Sequence, residues 1–236
     1  MDLKAGLEFE HLKKIPGVTV ICDIQHVASA LQNIVATLHL RIQNLKSKNY
    51  NDIKQFFQSS EYQRMTIEEK RDHTLGHRTF VVVDECAEIF LFGLGHKPEY
   101  TREIRACMSK ITRLGRACGV HVVLATQRPD KNAVDPQVKS NLTSTVCYRI
   151  HDIGGSLAVL GSGRAMDLPK IAGRAVLAQG SQEVEIQTPF LDFAQSQRLL
   201  AETFKLSLDL EPLNHGSLNS TQEANHYEKT MEPHIP

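Results

Sequence analysis

Residues 79–90 read TFVVVDECAEIF: an apolar, largely β-branched run that ends in two adjacent carboxylates, Asp84 and Glu85. A run such as Phe80-Val81-Val82-Val83 predicts a strand over 79–84, central in a parallel sheet and covered on both faces. Ligands of such sheets sit beyond the carboxyl ends of the strands, where these two acids emerge. An acid there can hold a phosphate-bound Mg²⁺, and a second can polarise an attacking water. The same pattern also fits a strand that simply stops at two solvated acids.

Working outward, strand and helix patterns alternate, the signature of an α/β domain. A short apolar strand is expected at VTVICD (18–23), before a long helix at about 26–47. At 100° per residue, Val27, Leu31, Ile34, Val35, Leu38, Ile42 and Leu45 fall on one stripe of that helix. Residues 45–78 are polar and interrupted, and read as an insertion of short helices and loops rather than core. After the acids come a helix at about 99–118, a strand at 120–126, a short helical piece ending near Asn141 and a strand at 144–150. A helix near 153–159 leads to the segment GSGRAMDLPKIAG, and VLGSGR at its start is read as a turn pair. Two last strands, RAVLAQ and EVEIQTPF, flank Gly180-Ser181 and form a hairpin. Residues 207–236 are polar and aperiodic, and read as a disordered tail.

Bulk numbers exclude several classes. Lys plus Arg and Asp plus Glu are equal at 27 each, so overall charge points to no polyanionic partner. No apolar run approaches the length of a membrane span, and the N-terminus lacks the apolar stretch of a signal peptide. Five scattered cysteines without a CxxC pair fit reduced thiols of a cytoplasmic protein. His73 and His77 lie four apart, but no nearby Cys/His pair completes a tetrahedral metal set.

Two further stretches carry candidate chemistry. VHVVLATQRPD (120–130) ends an apolar strand in Thr126, Gln127 and Arg128. A parallel neighbour would set Gln127 beside Asp84 and Glu85, where its amide could orient water. A turn residue ahead of Pro129 is the plainer reading. In the helix TREIRACMSKITRLGRACG, Arg102, Arg105, Arg113 and Arg116 fall within about 80° opposite the apolar side. Arginine suits bidentate contacts to phosphate or carboxylate. That arc fits a subunit interface as well as it fits a solvated face.

A nucleotide site also needs a grip on the phosphates, supplied in P-loop enzymes by G-x-x-x-x-G-K-[ST]. The sequence contains no Gly-Lys dipeptide. GLGHK (93–97) lacks the spacing, and GGSLAVLGSGR (154–164) lacks both the lysine and a preceding strand.

These stretches resemble the motor domain of the FtsK/SpoIIIE DNA translocases, with the nearest likeness to the coupling translocases of conjugative elements. VVVDECAEIF, ITRLGRACGVHVVLATQRPD, VKSNLTSTVCYRI, VLGSGRAMDLPKIAGRAVL and VEIQTPF match in order over about 79–190. MDLKAGLEFEHLKKIPGV resembles the family's DPKg.E segment, and 18–46 match as well.

The resemblance implies a RecA-like P-loop NTPase core with a mostly parallel sheet, incomplete at the N-terminus. On that alignment Met1 falls just after the Walker A loop, its helix and the next strand, and residues 1–206 form a partial motor domain. Asp84 and Glu85 match the Walker B pair, with Asp84 on the metal. Gln127 matches the residue that ends the sensor strand, and Arg116 sits where related motors carry an arginine finger acting in trans. ATP and Mg²⁺ are the implied cofactors. A homohexamer around double-stranded DNA is the implied assembly, cytoplasmic or at the inner face of the membrane in a longer form. Lys46, Lys48, Lys54, Arg64, Lys70 and Arg71 offer phosphate contacts, or an ordinary solvated surface. Cys86 departs from the usual residue after the acid pair.

Overall fold

In the computed structural model of the chain, residues 1–3, 9–91, 97–128 and 132–204 are described. The tail from 207 and most of the glycine-containing loop at 93–97 therefore lie outside the described residues. Two units are distinguished, Met1–Leu191 and Asp192–Pro236.

The first unit opens with a 3-10 turn at Glu10–Lys14, followed by α1 (Ile24–Ser47). Asp23 starts α1 by accepting the N–H groups of Gln25 (2.8 Å) and His26 (3.2 Å), which satisfies two orphan donors of the first turn. The segment read as an insertion forms α2 (Ile53–Gln58), α3 (Ser60–Arg64) and α4 (Ile67–Asp72), the last started by a Thr66/Glu69 capping box. Short helices were expected there, but Phe56 and Leu75 are fully buried in the main core. Phe56 packs edge-on against Tyr50 and Tyr62 and stacks on His73. His73 Nδ1 also accepts the Leu75 N–H at 3.1 Å.

Then come β1 (Thr79–Val83), α5 (Ala87–Phe90), α6 (Pro98–Cys118) and β2 (Val120–Leu124). Pro98 occupies the first turn of α6, and Gly119 at φ 70° ends it in the left-handed region. Next follow α7 (Pro136–Lys139), β3 (Ser144–Tyr148), α8 (Ile153–Leu160) and α9 (Arg164–Asp167). Last are β4 (Arg174–Gln179) and β5 (Gln182–Gln187), joined by the Gly180-Ser181 turn that the sequence predicts.

The strands form two sheets. β1 and β2 run parallel with Val81 opposite Val122, and β3-β4-β5 is an antiparallel meander. On the other side of β1, Asp84 N–H donates to Met1 O at 3.0 Å, and Asp2 N–H reaches Ile21 O at 2.8 Å. β1 is thus an interior strand. Residues 18–23, expected as a strand, carry none; their ladder contact among the described residues is the Asp2 N–H to Ile21 O bond.

Val81 and Val83 join Leu31, Leu38, Ile104 and Ile111 in one core, fed by α1 and α6. The expectation that β1 is covered on both faces fails here. Phe80 is 64% exposed, Val82 40% and Val123 of β2 49%. The helices cover the Val81/Val83 face, while the Phe80/Val82 face lies open.

Arg41 was not singled out by the sequence, yet it is fully buried. It donates to Thr74 O (2.8 Å), Cys118 O (2.9 Å) and Thr79 Oγ1 (3.2 Å). One guanidinium so ties α1 to the entrance of β1 and to the carboxyl end of α6, where a cation meets the negative end of the helix dipole. Its position was readable, since residue 41 falls on the apolar stripe between Leu38 and Leu45.

The second unit is described over residues 192–204, as helix α10 (Phe193–Phe204) with Asp192 accepting the Gln195 N–H at 2.7 Å.

Candidate nucleotide site at the strand ends

The parallel pairing of β1 and β2 brings Glu85 and Gln127 to the same end of the sheet. Glu85 is 4% exposed. Its Oε1 accepts the Thr126 hydroxyl, and its Oε2 accepts the Gln127 backbone N–H at 3.0 Å. The contact from Gln127 is made by the main chain, while its side chain is exposed. Glu85 holds φ at 47°, a left-handed conformation that costs a non-glycine residue of the order of 1 kcal/mol. The backbone turns there so that Cys86 N–H can bond Ala125 O at 2.7 Å, which locks the end of β1 onto β2. Asp84 is half-buried at the mouth of β1.

Thr126 links the ends of both strands. Its Oγ1 also accepts the Arg128 N–H at 3.0 Å, and the Arg128 guanidinium pairs with Glu88 at 3.1 Å. A threonine two residues after a parallel strand was the available signal.

Cys86 is fully buried, with Sγ 3.7 Å from Ala133 O. Burial, with Glu85 alongside, pushes its thiol up to about 12. It stays protonated and unreactive at neutral pH.

The arginine arc divides. Arg105 is committed inside the chain, donating to Phe90 O and pairing with Asp135 at 3.4 Å. Arg102 lies with Glu99, Glu103 and Lys110 along a groove of about 650 Å³ between α1 and α6, away from the acids. Arg113 and Arg116 are exposed. Arg116 lies in the last turn of α6, at the start of β2, while Glu85 and Gln127 sit at its other end. Seven residues of strand at about 3.3 Å each separate the two by roughly 20 Å. Any contact between Arg116 and such a site therefore requires a neighbouring subunit.

Among the candidate DNA contacts, Lys48 pairs with Glu61, Arg71 pairs with Asp72, and Lys70 Nζ lies over the Tyr62 ring. Lys46, Lys54 and Arg64 are exposed.

The donor set can be tested against the implied Mg²⁺ and ATP. Asp84 and Glu85 stand together without a third His, Cys, Asp or Glu ligand among the described residues. Two carboxylates suit a Mg²⁺ whose remaining ligands are phosphate oxygens and water.

Residues 1–131, more than half the chain, match the FtsK/SpoIIIE family domain. The chain belongs to the FtsK/SpoIIIE family. It is 30% identical over 193 residues to the DNA translocase FtsK of Corynebacterium glutamicum, covering 76% of this chain and 20% of that protein. With the FtsK of Staphylococcus aureus it shares 24% over 220 residues, 93% of this chain and 25% of that one. The chain thus spans about a fifth to a quarter of the length of these relatives.

Its fold matches the pCW3 conjugation coupling protein TcpA, solved as a monomer with ATPγS. The TM-score is 0.66 at 27% identity, over 79% of this chain and 50% of that one. The type VII secretion ATPase EccC of Thermomonospora curvata shares the fold alone, at TM-score 0.63 and 19% identity. The core is that of the RecA-like P-loop motors. No helix among the described residues is long and apolar enough to cross a membrane.

Proposed function

We propose that the chain is the acid-and-sensor part of an ATP-driven motor that moves double-stranded DNA, in conjugative transfer or segregation. The observation that carries this reading is Glu85 and the Thr126-Gln127 backbone held together at the carboxyl ends of adjacent parallel strands, in a member of a translocase family. Bound ATP·Mg²⁺ would supply the transferable phosphoryl group and the charge that activates it. Asp84 would hold the metal through water. Glu85 would orient and polarise the attacking water, and the exposed Gln127 amide would hydrogen-bond the terminal phosphate. Arg116 would serve the site of a neighbouring protomer in a hexameric ring, and the exposed lysines of 45–78 would track DNA phosphates. Residues 1–206 would form one motor module with 45–78 as its insertion.

The test is duplex-DNA-stimulated ATP hydrolysis in an assembly that includes a phosphate-gripping loop. Asp84→Ala or Glu85→Gln abolishes turnover on this reading; normal turnover in either variant rejects it.

A second reading is favoured by one observation, the lack of any Gly-Lys dipeptide in the sequence. A non-hydrolytic partial homologue would join or modulate an intact motor ring through Arg102, Arg113 and Arg116. It predicts no ATPase from this chain, with or without a phosphate-gripping partner, and co-purification with an intact relative.

A further inference from the structure

Glu85, Thr126, Arg128 and Glu88 close a ring of contacts across the strand ends. Glu85 takes the Thr126 hydroxyl on one carboxyl oxygen and the Gln127 N–H (3.0 Å) on the other. Thr126 Oγ1 in turn accepts the Arg128 N–H at 3.0 Å. The Arg128 guanidinium pairs with Glu88 at 3.1 Å, and the Glu88 N–H returns to Glu85 O at 2.9 Å. The turn after β2 is thus tied both to the acid and to α5.

The links of this ring differ in exposure. Glu85 is buried, and in this pose its carboxyl oxygens face protein donors rather than solvent. A group that polarises an attacking water needs an oxygen directed at that water and within hydrogen-bond reach of it. The hydroxyl of Thr126 has one proton, and the Arg128 N–H on its lone pair directs that proton at Glu85. The Arg128–Glu88 pair, by contrast, lies at the surface, with 47% of the arginine side chain exposed. Exposed pairs are weak, and a phosphate, which takes two guanidinium N–H groups at once, competes well for the arginine.

We propose that Thr126 is a positioning residue that holds Glu85 in a resting pose, and that a phosphate drawing Arg128 off Glu88 releases the acid towards water. The observation that carries this is that both carboxyl oxygens are held by the turn that also carries the exposed arginine. The conformer with Glu85 turned to water is then the active one, and its population sets the turnover rate rather than nucleotide affinity. The proposal rests on the ATP-motor reading for the role of Glu85 and adds its regulation.

The experiment combines the full chain with the part of TcpA that it does not match. It measures ATP turnover with and without duplex DNA, and ATPγS affinity alongside. Thr126→Val keeps the side-chain volume and removes the hydroxyl, so turnover without DNA rises about 5-fold or more, the factor carried by one such hydrogen bond. ATPγS affinity is retained, and Thr126→Ser, which keeps the hydroxyl, restores the slow rate. Arg128→Ala removes only the surface pair, keeps the fold by circular dichroism, and raises turnover without DNA about 2-fold or more. Where the releasing phosphate belongs to DNA, Arg128→Ala also loses stimulation by duplex; where it belongs to the nucleotide, stimulation is kept, and both results uphold the proposal. Level or lower turnover without DNA in folded Thr126→Val, or in Arg128→Ala, overturns the proposal while a hydrolysing parent leaves the motor reading standing. No turnover by the parent or any variant overturns the motor reading and the proposal together.

Discussion

Thr126 donates its hydroxyl to the buried carboxylate of Glu85 across the ends of β1 and β2. The bond fixes the acid's direction, and with the Gln127 N–H it occupies both carboxylate oxygens. Thr126→Val removes one hydrogen-bond donor to the buried Glu85 carboxyl group. The expected cost is about 1–3 kcal/mol, read as a lower urea midpoint, and Thr126→Ser restores most of it.

Arg41 supplies the second point of fixation. Arg41→Met keeps the aliphatic stem but strands three acceptors, Thr74 O, Cys118 O and Thr79 Oγ1. A loss of about 3 kcal/mol or more is expected from equilibrium unfolding. Arg41→Lys recovers only part, because one ammonium cannot span the fork that the guanidinium makes.

Gly115 lets α6 approach β2. A Cβ built there would lie 2.6 Å from the Val120 carbonyl oxygen. Alanine is otherwise the better helix former by about 1 kcal/mol, so the two effects oppose. The clash is with backbone and cannot rotate away. Gly115→Ala therefore lowers the melting temperature, with a net cost of about 1–3 kcal/mol.

Cys86 gives a pH signature. Its folded-state value of about 12 lies above the ordinary thiol value of 9.0, so above pH 9 the unfolded chain releases a proton that the folded chain keeps. The stabilising contribution is complete below about pH 9 and is lost as pH rises from there towards 12. The stability difference between the chain and Cys86→Ala should be flat from pH 6 to 8 and shrink between pH 9 and 11. A difference that grows over that range would contradict the burial of this thiol.

The helices were legible because their signals are local. The α1 stripe of Val27, Leu31, Leu38 and Leu45 recurs every few residues and needs no distant partner to be read. The Gly180-Ser181 hairpin was legible for the same reason. The strand faces were not. Phe80-Val81-Val82-Val83 reads as doubly covered, and only tertiary placement of α1 and α6 shows which face stays open. Arg105 sat on the arginine arc by its angle, but its partner Asp135 is thirty residues away in sequence. The pairing of Glu85 with Thr126 is likewise long-range: proximity followed from the parallel strands, but the hydroxyl's direction did not. The segment 45–78 looked like an insertion because its apolar residues are sparse, yet Phe56 and Leu75 are fully buried in the main core.

The central claim is that Glu85 acts on water at a nucleotide gripped by another stretch of polypeptide. Its most direct measurement compares single-turnover ATP hydrolysis by the parent chain and Glu85→Gln, each combined with the part of TcpA that the chain does not match, with ATPγS affinity measured alongside. The account predicts hydrolysis slowed by about 100-fold or more in Glu85→Gln, with affinity retained. Equal hydrolysis in the two proteins would contradict it.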